Sequence, residues 1–360
     1  MWVTIKDVAK LAGVSIATVS RVLNKSSYPV AEKTRKKVLK AAKDLDFQPS
    51  KLAAGLKLEK SAAIGLIFPS FMGGTYYSEI FHVIEDEAVR KGYGIILGSS
   101  YGHTEKEELL IDLLRERRVE GLIIIPSSHN VDLKYYQRLR EKIPFVFVDR
   151  FLPGIDADRV TTDNVKGAYI AVKHLIKLGH ERIALLSGPE APCTSIQERI
   201  KGYEKALAEF DIRFRKIIET EKDLNKPKRC AYKAMTSFLN SECRTSALFA
   251  VNDGIAVGAL RAIREAGLKV PDDMAVIGYD DDEIAPFASV PLTTVGQRKE
   301  KMGKIAVKLL LERIGQKREI SRHIILEPRL VVRASCGAKS FSQNTVGVLS
   351  QKGVKTMNLS

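Results

Sequence analysis

From Ser61 onward the chain alternates short apolar runs with amphipathic stretches, and this rhythm constrains the fold more than any other feature. The runs cover residues 64–68, 94–97, 122–125, 145–148, 183–186, 217–218, 247–250 and 275–277. Six of the eight have the length of a buried strand, and the stretches between the runs are long enough for crossover helices. The pattern therefore predicts an α/β chain with parallel sheets. Four runs fall on each side of residue 160, which predicts two similar subdomains of about 62–160 and 162–290, with a cleft between them. The chain is expected to cross back near 291–325.

Ligands of open parallel sheets bind beyond the carboxyl ends of the strands, so the residues after each run are the informative ones. They are polar: Ser70 follows 64–68, Asp149 and Arg150 follow 145–148, Asn252 and Asp253 follow 247–250, and Asp280 follows 275–277. Carboxylates and amides converging on a cleft suit a ligand with vicinal hydroxyls. An apolar helix follows Asp253 directly, so Asp253 reads as its N-cap, whereas Asp149 and Asp280 read as ligand-binding. His180, in Leu-Gly-His between a helix and a strand, reads as a helix-end residue and not as a ligand or catalyst.

The first 60 residues differ from the rest. They hold 13 Lys/Arg against 5 Asp/Glu, more than half of the chain's net charge of +15, and a basic module of this size suggests a nucleic-acid partner. Thr4-Ile5-Lys6-Asp7 has capping-box form and opens a helix over residues 5–12 with Ile5, Val8, Ala9 and Ala12 on one side. Gly13 can end it in the left-handed conformation, Val14 can plug the core and Ser15 can cap a second helix. On that helix Val19, Val22 and Leu23 share one face; Ile16, Ala17, Ser20 and Arg21 share the other, which is free to enter a major groove. A third helix over about 32–45 carries Val38, Ala41, Ala42 and Leu45 on one stripe, surrounded by Lys33, Arg35, Lys36, Lys37 and Lys40.

Residues 5–56 resemble the DNA-binding headpiece of the lactose/galactose-repressor family. The likeness lies in D7-V-A-K-L-A-G-V-S-x-A-T-V-S-R-V-L-N24, then V30-x-x-x-T-R-x-x-V-L, then P49-S. It implies a DNA-binding set of Thr4, Ser15, Ile16, Ala17, Thr18, Ser20, Arg21 and Asn24, with a hinge helix at about 49–57 that places Ala53 and Leu56 in the minor groove. Arg21 can grip guanine O6 and N7, Ile16 and Ala17 can offer apolar contact alone, and Leu56 can act as a wedge between base pairs. Phe47 stands where the family often has tyrosine and reads as core. Gly55 lies inside the hinge, which suits a helix that forms on DNA.

The resemblance extends over about residues 62–336 to the family's periplasmic sugar-binding fold, through G65-L-I-F-P, V119-E-G-L-I-I, V146-F-V-D-R, L178-G-H-E-R-I-A, R199-I-K-G-Y, N252-D-G-I-A-V-G-A-L and G278-Y-D-D. It implies effector contacts from Asp149, Arg199, Asn252 and Asp280, with Ser70 and Tyr76 from the first subdomain. Arg199 can take either a hydroxyl pair or a carboxylate. Residues 70–77 and 219–228 depart from the family's usual pattern, so the effector's identity does not carry over. The expected effector is a sugar or related metabolite.

The resemblance further implies a homodimer on a pseudo-palindromic operator, with cleft closure moving the attached hinges. A ligand favouring splayed hinges induces and one favouring paired hinges corepresses; both signs stay open, as does a partner of the HPr phosphocarrier type found in some relatives. The organisation expected is a headpiece over 1–59, an effector and dimerisation domain over 60–336, and a flexible tail over 337–360. No catalytic motif of the G-x-x-x-x-G-K-[ST], G-x-S-x-G or G-x-G-x-x-G kind is present, so no enzyme and no cofactor is expected. Cys193, Cys230, Cys243 and Cys336 have no metal-ligand spacing and read as reduced residues. With no signal-peptide pattern and no apolar run of about 18 residues, a cytoplasmic protein without a membrane partner is expected.

Overall fold

A computed structural model describes residues 3–23, 28–47, 61–70, 75–127, 132–188, 193–221, 226–241, 244–315 and 320–338. The N-terminal helices are α1 (Ile5–Ala12), α2 (Ile16–Leu23) and α3 (Glu32–Asp44). At the start of α1 the Thr4 N–H and hydroxyl both donate to one Asp7 carboxylate oxygen, at 2.8 and 2.7 Å. These bonds, the hydroxyl's above all, hold the Asp7 carboxyl below its ordinary range. Gly13 ends α1 at φ +66°, a conformation that strains any residue with a Cβ. Ser15 Oγ then accepts the Thr18 N–H at 3.2 Å and starts α2. Val8, Val19, Val22 and Val38 meet in a small core, with Phe47 packed at its border.

The first lobe runs β1 (Ala63–Phe68), α4 (Tyr76–Arg90), β2 (Gly94–Ser99), α5 (Thr104–Glu116), β3 (Gly121–Ile124), α6 (Leu133–Lys142), β4 (Phe145–Val148) and β5 (Asp158–Thr162). The second runs α7 (Asn164–Lys177), β6 (Ile183–Ser187), α8 (Thr194–Glu209), β7 (Lys216–Glu219), α9 (Pro227–Leu239), β8 (Ala247–Ala250), α10 (Asp253–Glu265), β9 (Ala275–Asp280) and β10 (Thr293–Gly296). The chain ends with α11 (Lys299–Gly315), β11 (His323–Leu326) and β12 (Arg329–Val331).

Among the described residues these strands form two sheets, ordered β11-β5-β4-β3-β1-β2 and β12-β10-β9-β8-β6-β7. All pairs are parallel except β10 with β12. The chain passes between lobes three times: after β5, after β10, and between β11 and β12. The second sheet thus runs past the expected limit of 290, to Gly296, and regains a strand at 329–331. α11 returns to the first lobe, where its Met302, Ala306, Val307 and Leu310 join Ile80 and Ile84 of α4 in one apolar layer. In the second lobe a Cβ at Gly202 would lie 2.2 Å from the Val165 carbonyl oxygen; glycine there lets α7 and α8 pack backbone to backbone. No helix among the described residues is long and apolar enough to cross a membrane.

Candidate functional site

Two arrangements can carry chemistry. On α2, Val19 and Val22 are buried while Ser15, Ile16, Ala17 and Arg21 are exposed and Thr18 and Ser20 half-buried. The exposed face thus offers apolar Ile16 and Ala17 beside a single cation. Arg21 makes no ion pair or hydrogen bond among the described residues; its guanidinium carbon stands 4.0 Å from the centre of the Tyr28 ring. Thr4 and Ser15 have capping roles in addition to any other. Asn24, Ala53 and Leu56 lie outside the described residues.

The second arrangement lies between the lobes, at the carboxyl ends of the strands. Asp149 directly follows β4 at φ +66° and Asp280 ends β9 at φ +112°. Positive φ is uncommon outside glycine, and its recurrence at these two aspartates marks a place where side-chain direction outweighs backbone comfort. Asp149 is 3% exposed and accepts hydrogen bonds from the Tyr76 hydroxyl at 2.7 Å and the Tyr77 hydroxyl at 3.1 Å. Burial, then the charge of Asp149, raises the Tyr76 phenol well above its ordinary value; burial does the same for Tyr77. Both phenols therefore stay protonated and remain donors. Arg150 approaches Asp149 at 3.5 Å and bonds the Tyr77 hydroxyl. Its Nη1 also reaches the Pro126 and Ser127 carbonyls at 3.4 and 3.5 Å.

Across the cleft Arg199 projects from α8. Its Nε donates to Asn164 Oδ1 at 3.0 Å and its Nη1 to the Val251 carbonyl at 2.5 Å. Nη2 lies 3.3 Å from Asp280 Oδ1, and the guanidinium stands 3.7 Å over the Tyr279 ring. Gln297, just after β10, donates to Asp280 Oδ1 at 2.8 Å. Asn252 caps α10 by accepting the Ile255 N–H at 2.8 Å, which leaves its amide nitrogen available. Ser70 is buried just beyond β1.

Asp253 is not the cap expected from the sequence. Asn252 has the extended backbone of an N-cap and Asp253 is already helical; fully buried, Asp253 accepts the Thr294 hydroxyl at 2.6 Å and the Asp282 N–H at 2.8 Å. The residues that the sequence does not single out are Tyr77, Asn164, Gln297 and Lys299, and Arg150 stands out there only as a polar strand-end residue. Lys299 spans the lobes beside the cleft: its Nζ lies 2.7 Å from Glu79 of α4 and donates to the Asp281 carbonyl at 3.0 Å. Nearby the Glu283 N–H donates to Thr75 Oγ1 at 3.3 Å. Among the described residues no group of three or more His, Cys, Asp or Glu side chains is placed to hold a metal ion.

Burial raises the carboxyl of Asp280 to about 7, against the pull of Arg199 and with the repulsion of Asp282 and Asp149. Burial raises Asp282 to about 6 against the pull of Lys299. Both aspartates take up protons more readily folded than unfolded. Their contribution to stability is complete below about pH 4, the ordinary carboxylate range, and is lost as pH rises through about 6 and then about 7. The melting temperature is expected to fall between about pH 4 and pH 7, and to fall less in Asp280→Asn. An equal fall in both proteins would remove Asp280 as a cause.

Residues 4–50 match the family described as bacterial regulatory proteins, lacI family, and residues 172–336 match a periplasmic binding protein-like domain. The chain is 36% identical over 334 residues to the HTH-type transcriptional repressor PurR of Photobacterium profundum, covering 92% of this chain and 98% of the relative. A lac repressor dimer bound to operator and the anti-inducer ONPF superimposes with a TM-score of 0.81 at 30% identity, covering 93% of this chain and 99% of that one. A LacI family transcriptional regulator from Enterococcus faecium with bound ribose superimposes with a TM-score of 0.68 at 28% identity, covering 76% and 98%.

Proposed function

Because this chain belongs to the LacI family of bacterial regulatory proteins and is a DNA-binding transcriptional repressor with a small-molecule effector domain, we propose specific sites for its two ligands. The exposed face of α2 reads the operator: Arg21 bonds a guanine edge, Ile16 and Ala17 pack against base methyls, and Thr18, Ser20 and Asn24 assist at bases or phosphates. The hinge that the family resemblance assigns to 49–57, with Leu56 and Ala53 as its minor-groove contacts, lies outside the described residues. The effector is held between Ser70, Tyr76 and Asp149 of the first lobe and Arg199, Asn252 and Asp280 of the second.

One observation carries the effector site: two buried Asp-centred clusters on facing lobes, Tyr76 with Asp149 and Arg199 with Asp280, each built on an aspartate at positive φ. Such paired acceptors and fixed donors match the hydroxyls of a sugar or related metabolite, the class of ligand bound by the ribose-containing relative. The working unit is a homodimer, like the lac repressor dimer seen on operator. Edge strand β2 and helix α5 leave Leu97, Leu109 and Leu113 exposed on the first lobe, an apolar face suited to a second copy. A repressor of this kind works in the cytoplasm, where the chromosome is.

The DNA assignment is tested on a duplex that the full-length protein selects from a randomised library. Arg21→Ala is expected to lose ~1–3 kcal/mol on this duplex, with base preference flattened mainly at one base pair per half-site. A uniform loss across all sequences would reduce Arg21 to a phosphate contact.

A further inference from the structure

The segment between α2 and α3 brings an exposed tyrosine to the one arginine on the reading face. Tyr28 is 56% exposed, so core packing does not account for it. Its backbone is restrained from the C-terminal side: Pro29 disfavours helical geometry at Tyr28, and Val30 packs against the headpiece core. The ring lies beside α2, with the Arg21 guanidinium carbon 4.0 Å from its centre.

We propose that Tyr28 is a specificity-positioning residue, whose ring holds the Arg21 guanidinium in the orientation that reads a base edge. The proposal rests on the reading of Arg21 as a base contact. A guanidinium carries all its N–H donors in its own plane, so an aromatic ring over its face uses none of them. The donors that would meet guanine O6 and N7 stay available, while the long side chain loses freedom before it meets DNA. An ion pair with Asp or Glu would also order the arginine, but it would occupy the same donors. The ring thus suits an arginine that must be both ordered and unspent.

An exposed cation–π contact corresponds to about a two- to fivefold effect on an equilibrium. The test uses full-length protein and the selected duplex with single base-pair changes, comparing wild type, Tyr28→Phe, Tyr28→Leu, Arg21→Ala and the Arg21→Ala/Tyr28→Leu double variant. Tyr28→Leu is expected to lower discrimination about two- to fivefold at the base pair read by Arg21 and to leave other positions unchanged. Tyr28→Phe is expected to keep wild-type discrimination, and Tyr28→Leu to add nothing in the Arg21→Ala background. A uniform affinity loss shared by Tyr28→Phe and Tyr28→Leu would overturn the proposal in favour of a hydroxyl contact to phosphate. Unchanged base preference in Tyr28→Leu, where Arg21→Ala does flatten one position, would overturn it while leaving the Arg21 reading intact. If Arg21→Ala changes no base preference at all, the reading of Arg21 fails, and the role of Tyr28 with it.

Discussion

Arg199→Ala is expected to lower the stability of the folded chain by ~3–5 kcal/mol, in addition to removing an effector contact. Arg199 is 5% exposed and joins α8 to Asn164, to the Val251 carbonyl and to Asp280. Deleting it takes the counter-ion from Asp280, which must then stay buried as an acid or a bare charge, and leaves Asn164 Oδ1 and the Val251 carbonyl without their donor. Urea denaturation reads the loss as a lower midpoint, and a midpoint within experimental scatter of wild type would show that the cluster is not under load. The gentler variant separates binding from folding. Asp280→Asn keeps the shape of the side chain and is expected to weaken effector binding by ~1.5–3 kcal/mol. Effector-free affinity for the selected duplex should stay within about twofold, because a ligand shifts the equilibrium through its own contacts. A thermal-shift screen of sugars and nucleobases supplies the ligand, and calorimetry measures it; full effector affinity in both variants would place the regulatory site elsewhere.

Asp158→Ala is expected to cost a further ~3–5 kcal/mol in the same assay, for a reason remote from either ligand. Asp158 opens β5, is fully buried, and accepts Arg313 Nε of α11 at 2.8 Å and the Arg322 N–H at 2.6 Å. One carboxylate therefore ties the returning helix and the approach to β11 to the start of β5. Asp158→Ala/Arg313→Met, which removes both charges of this ion pair, is expected to recover much of the loss. A double variant as unstable as the single would mean that the Arg322 N–H bond, and not the ion pair, is what matters.

The headpiece is the most legible part of this chain because its signals are local. A capping box, a left-handed glycine and a serine cap each act within four residues, and α1 begins and ends, and α2 begins, where they indicate. The strands marked by apolar runs are all present, but β5 and β10 are not marked. They read Asp-Arg-Val-Thr-Thr and Thr-Thr-Val-Gly, and buried threonine hydroxyls satisfied by neighbours look like loop residues in a linear pattern. Edge strands β11 and β12 are missed because solvent covers much of them, as at Ile325. The same gaps hide part of the cleft. Gln297 follows β10 and Asn164 follows β5, so their position at a strand end becomes visible once those strands are known. Asp149 and Asp280 stand out in the sequence, yet their positive φ does not. Asn252, and not Asp253, caps α10, because a cap differs from the first helical residue by one step of backbone geometry.

The three crossings between lobes also decide what kind of movement is available. β5 and β11 are neighbours at one edge of the first sheet, and β10 and β12 at the matching edge of the second. Three short connections side by side act as a door hinge: peptide geometry fixes their length, so sliding or twisting one lobe against the other would have to stretch at least one of them. Swinging about the shared edge stretches none. Bending about that edge is thus the movement these connections resist least, and β1, the first strand after the headpiece, belongs to the lobe on one side of it. A ligand that bridges the two lobes across the cleft would therefore act on the angle between them.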